Sequence, residues 1–159
     1  MNDKLAQDFK SVELAYPLAV ASYDLAQKRL DVVEGRLQTL LAFVAPVTVA
    51  VIAAANGKGA PFTSYWFIAA MIFCLFGLAL GVHTRLADTV IVIDPGVLSQ
   101  KWLHFSEWQF KRNVIHLSGK HFNANATVIA RKGRYTSWTA FIFLLEALCL
   151  GAWIVAHNL

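Results

Sequence analysis

The chain has 159 residues, of which 57% are hydrophobic and only 15% charged, with a formal net charge of +4; a soluble domain carries about 25% charged residues. Mean hydropathy is positive, at +0.52, so neither an ordinary water-soluble domain nor a large independent soluble domain beside the apolar stretches fits this composition. The two cysteines, Cys74 and Cys149, both fall within apolar stretches, where a thiol acts as a small hydrophobe, which argues against a disulfide framework or a thiolate metal site.

The first 36 residues alternate acidic and basic side chains and contain no short apolar run closed by a small-residue cleavage site, so no secretory signal peptide is expected. Leu5, Phe9, Val12 and Tyr16 mark a short amphipathic N-terminal helix, and Pro17 suits the first turn of a new helix starting near Tyr16. From there Tyr16, Ala19, Tyr23, Ala26, Leu30, Val33, Leu37, Leu40 and Val44 follow at steps of three and four. That spacing predicts a helical seam running from a cytoplasmic stalk into a first transmembrane helix over 37–55. Gly35 and Pro46 count against a perfectly straight rod.

A turn over 56–64 leads to a second predicted span, 65–83. Gly77 and Gly81 form a Gly-x-x-x-Gly pair that lets another backbone approach closely, in a dimer or inside the same chain, unless the pattern, common by chance in apolar segments, has no special role. The link 84–137 contains Val90, Ile91, Val92 and Ile93, a β-branched run that fits a strand or a buried extended linker. Asp94 and Pro95 resemble the start of a short helix carrying Val97, Leu98 and Trp102, and Ser106 with Gln109 has the form of a capping box. Beyond it Ile115, Gly119, Phe122, Ala126, Ile129 and Gly133 step by four and three, predicting a second cytoplasmic stalk that enters a third span over 138–156. Within that span Glu146 is the only formal charge in any of the three. A carboxylate at such depth costs about 2.5–3.5 kcal/mol on insertion scales, so Glu146 should face other helices or water. It is either a functional group, as a pore lining, proton acceptor or subunit contact, or a carboxyl tying the bundle together through Thr48 or Thr39.

Lysine and arginine set the orientation. Residues 1–36 carry Lys4, Lys10, Lys28, Arg29 and Arg36, and the link carries Arg85, Lys101, Lys111, Arg112, Lys120, Arg131, Lys132 and Arg134; the 56–64 turn has only Lys58, and the tail 157–159 has none. The N-terminus and the link are therefore expected in the cytoplasm, with the turn and the C-terminal tail outside. Arg131, Lys132 and Arg134 form a juxtamembrane cluster suited to anionic lipid headgroups. His104, His116 and His121 lack the spacing of a helical metal site, and Gly57-Lys58-Gly59 lacks the rest of a phosphate loop. No catalytic, metal or cofactor site is expected, and no nucleic-acid partner.

The expected fold is all-α: three transmembrane helices with two cytoplasmic stalk extensions. The order of a cytoplasmic helix reading YDLAQKRLDVVEGRLQTLL over 23–41, two spans, then a helix with Asn123 and Arg131-Lys132-Gly133 leading into a last span resembles small bacterial membrane proteins. The likeness is to the transmembrane effectors of Pycsar-type and SLATT-type anti-phage systems. It implies an inner-membrane protein that oligomerises and disturbs the membrane when a partner senses infection. Val33-Glu34-Gly35-Arg36 departs from the Asp-x-Lys-Ala type of sequence of the Pycsar effector, and residue roles are not carried over. The alternative is a passive anchor or accessory subunit that docks a cytoplasmic or membrane partner.

Overall fold

Ser106 and Gln109 open the clearest helix in the chain. The Gln109 amide donates to Ser106 Oγ at 3.4 Å and the Ser106 amide donates to Gln109 Oε1 at 3.2 Å, so two otherwise orphaned donors are satisfied reciprocally. The computed structural model describes residues 3–56, 62–87, 89–93 and 105–158. It contains three helices, α1 (Asp3–Asn56), α2 (Tyr65–Leu86) and α3 (Glu107–Asn158), and no strand among the described residues. Each of the three is long and apolar enough to cross a membrane. The expected spans 37–55, 65–83 and 138–156 lie within α1, α2 and α3 respectively. The 57–61 part of the turn, the expected helix after Asp94 and Pro95, and His104 lie outside the described residues.

The helix start expected near Tyr16 is not there. α1 runs unbroken through Pro17, Gly35 and Pro46, so the short N-terminal helix is simply its first part. A proline inside a helix costs about 3 kcal/mol, but tertiary contacts around Pro17 hold the helical path. The Tyr16 and Phe110 rings pack at 6.5 Å, and Ala19 is buried against Val114. Helices in proteins draw most of their stability from such packing, which is why a local stop signal is overridden here.

The described residues fall into two compact units, one within Met1–Asp31 and Asp88–Ala130 and the other within Val32–Ala87 and Arg131–Leu159. In the first, α1 and α3 run parallel, with Glu13 opposite Lys111 and Tyr23 opposite His121. Its core is Ala19 and Val114 with Tyr16, Ile93, Phe110, Ile115 and Leu117 around them. Residues 90–93 have no strand partner among the described residues; Asn125 takes that place. The Ile91 amide donates to Asn125 Oδ1 at 2.8 Å, and Asn125 Nδ2 donates to the Ile91 carbonyl at 3.0 Å, so one side chain satisfies both backbone groups of an extended segment.

In the second unit α1 and α3 are again parallel, with Glu34 opposite Lys132 and Thr48 opposite Glu146, and α2 runs antiparallel to both. At one end Phe67 packs on Trp153 at 4.9 Å, and Phe62 lies 5.1 Å from Phe67. Ala70, Leu150 and the fully buried Trp153 complete this cluster. The glycine pair lets α2 approach both neighbours. A Cβ on Gly77 would lie 2.6 Å from Phe143 Cε1, and one on Gly81 would lie 2.9 Å from Leu41 Cδ2. Both glycines therefore serve packing inside the chain.

Candidate functional site

The buried face of α3, turned toward α1 and, in the second unit, also toward α2, follows a 3.5-residue repeat. Its buried positions include Val114, Ser118, Asn125, Lys132, Thr136, Thr139, Phe143, Glu146, Leu150 and Trp153, separated by three, four or seven residues. That is the period that keeps one stripe of a helix against a parallel neighbour. What is unusual is the chemistry, because six of the ten are polar or charged. Burying such groups without partners costs free energy, so each polar position calls for a counterpart.

In the first unit the counterparts come largely from α1. Ser118 Oγ lies 2.7 Å from Ser22 Oγ and donates to the Ala19 carbonyl at 3.2 Å. The Tyr23 hydroxyl shares a hydrogen bond of 3.0 Å with His121 Nδ1, and burial pushes that hydroxyl's pKa up. Lys111 bridges Glu13 at 2.6 Å and Glu107 at 2.7 Å. The Lys111 ammonium holds the Glu107 carboxyl below its ordinary range, and the two carboxylates hold Lys111 above its own.

In the second unit the same face carries two formal charges. Lys132 is 2% exposed and donates to Glu34 Oε1 at 2.7 Å. This corrects its expected place at lipid headgroups. Its ammonium sits on the α1-facing stripe and is committed to Glu34, whereas Arg131 and Arg134 are exposed. Glu146 is likewise 2% exposed. Thr48 of α1 donates to its Oε1 at 2.6 Å, and the Cys74 thiol of α2 lies beside the same carboxyl. Oε2 is buried without a hydrogen-bond partner among the described residues. Of the two threonines considered for this carboxyl, Thr48 is the one that reaches it; Thr39 donates instead to the Gly35 carbonyl. Glu146 thus stands where all three helices meet, with one oxygen satisfied and one not. Such a group in a low-dielectric surround is costly and chemically poised.

The other residues singled out from the sequence divide clearly. On α1, Leu37 is buried and Tyr23, Leu30 and Val33 are half-buried on the face toward α3. On α3, Ile115 and Ile129 are half-buried, but Phe122 is 53% exposed. Phe122 is not a seam residue; His121 before it bonds Tyr23 of α1, and Asn125 after it bonds the Ile91 backbone. Apolar spacing does not reveal Asn125, Ser118 and Ser22, because their contacts are polar. The available signal was polar residues spaced at 118, 121, 125 and 132. Among the described residues, no cluster of three or more His, Cys, Asp or Glu could hold a metal ion. No family model, curated protein or solved structure matches the chain.

Proposed function

We propose that this chain is a small non-enzymatic effector of the bacterial inner membrane, with its N-terminus and the 84–137 link in the cytoplasm and its C-terminus outside. It assembles into oligomers and alters membrane permeability when a partner or signal acts on the cytoplasmic parts of α1 and α3. The observation that carries this reading is Glu146, a buried carboxyl with an unsatisfied oxygen at the junction of three helices of membrane-spanning length. A span retains so expensive a group for what it does, or for what it holds together. Here it does not form an ion pair: no basic side chain lies within reach among the described residues. Arg131 and Arg134, exposed at the start of the third predicted span, suit anionic headgroups at the cytoplasmic face.

The test is membrane potential in cells that overproduce the chain, read with a potential-sensitive dye. Wild type is expected to depolarise, and Glu146→Ala to abolish the effect while inserting to the same level. Depolarisation retained in the variant removes Glu146 from the mechanism. Absence of depolarisation with wild type under every condition favours the second reading, a passive anchor that docks a partner.

A further inference from the structure

α1 carries a second heptad stripe that none of the described residues covers. Leu14, Leu18, Ala21, Leu25, Lys28 and Val32 follow at steps of four and three, on the side roughly opposite the α3-facing seam, and every one of them is exposed. Leu14 is 68% exposed, Leu18 72%, Leu25 47% and Val32 54%. A row of leucines outside the predicted span, left open to water, is an unpartnered coiled-coil face. The same register continues through Gly35, Thr39 and Ala42, also exposed. Large apolar residues followed by small ones at the start of the predicted span are what helix pairing uses in water and in lipid respectively.

The flanking charges identify the occupant. With Leu18, Leu25 and Val32 at a positions, Asp24 and Asp31 occupy g positions while Arg29 and Arg36 occupy e positions. In a parallel pair of helices, a g residue of one meets the e residue five positions on in the other. Asp24 then meets Arg29 of a second copy, and Asp31 meets its Arg36, twice over by symmetry. Within one chain these residues straddle the stripe on opposite flanks, and none of the four makes an ion pair or hydrogen bond among the described residues. An anionic lipid surface would be opposed by both aspartates, and an unrelated partner would have no need of the five-residue complementarity.

We infer that this face of α1 pairs with a second copy of the same chain, parallel and in register. The inference rests on the membrane reading above for orientation, since copies inserted by the same rule run their α1 helices in the same direction. Lys28 at a d position weakens the pair but narrows its register, with Asp24 and Asp31 of the same helix four residues before and three after to balance its charge.

The full chain in mild detergent, weighed by sedimentation, tests this, with helical circular dichroism confirming that each variant folds. Wild type is expected as a dimer. Reversing Asp24→Arg with Asp31→Arg should raise the dissociation constant at least tenfold, adding Arg29→Asp and Arg36→Asp should restore it, and Lys28→Leu should lower it. In membranes, Leu18→Cys and Leu25→Cys should form an intermolecular disulfide under mild oxidation at least fivefold faster than Gln27→Cys. A folded wild-type monomer, an oligomer indifferent to charge reversal, or equal crosslinking at all three positions would each overturn the interface. None of these readouts involves permeability, so a dimer that fails to depolarise cells refutes the effector reading and leaves the interface intact.

Discussion

Glu34 and Lys132 form an ion pair of unequal exposure: the glutamate side chain is 41% exposed and the lysine 3%. Removing the acid strands a buried ammonium, so Glu34→Gln is expected to destabilise the chain by about 3 kcal/mol, and the double change Glu34→Gln with Lys132→Met to recover most of it. Unfolding in detergent, run as a double-mutant cycle, reads both values; equal losses in the single and double variants would mean that the pair is not coupled. The two glycines of α2 differ in a similar way. A methyl at Gly77 meets the buried Phe143 ring, whereas one at Gly81 meets the tip of the half-buried Leu41, which can rotate aside. Gly77→Ala should therefore cost about 1–3 kcal/mol and Gly81→Ala less. The reverse order in thermal unfolding would place the close approach elsewhere. The need of Glu146 for a neighbouring hydroxyl and the close helix approach at Gly77 and Gly81 were legible from residue type and position alone. The pairing of Lys132 was not, because a basic residue beside a predicted span reads as a headgroup contact until its helix face is known.

At the scale of the element, the α1 seam was legible and the α3 seam was misplaced by one residue. The apolar set 115, 119, 122, 126, 129 and 133 stands one position beyond the seam positions 114, 118, 121, 125, 128 and 132, a rotation of about 100°. Apolar periodicity finds the buried face only where that face is apolar, and α3 buries Ser118, Asn125 and Lys132 because partners are waiting for them. The capping box at Ser106 was readable because its two hydrogen bonds are local; the continuity of α1 through Pro17 was not, because contacts with Phe110 and Val114 decide it. The Glu107–Lys111 pair gives the start of α3 a defined pH window. Glu107 titrates below its ordinary 4.5 in the folded chain, so its contribution is full above that value and fades as pH falls. Lys111 titrates above its ordinary 10.5, so its contribution is full below that value and fades as pH rises. Lys111→Met is expected to flatten both limbs of a stability profile against pH, and an unchanged acid limb would show that the pair is too exposed to matter.

For the whole molecule, one numerical relation recurs. Contacts between α1 and α3 join residues 98 apart in the first unit, at Glu13–Lys111 and Tyr23–His121, and again in the second, at Glu34–Lys132 and Thr48–Glu146. The Glu146 contact thus shares its 98-residue spacing with the acid, tyrosine and lysine contacts. The most direct measurement is dye or proton efflux from liposomes of anionic lipid containing the purified chain. Efflux that rises with protein density for wild type, and falls to the protein-free level with Glu146→Ala at equal incorporation, is the expected result. Equal efflux from wild type and Glu146→Ala would contradict a membrane-active role centred on that carboxyl.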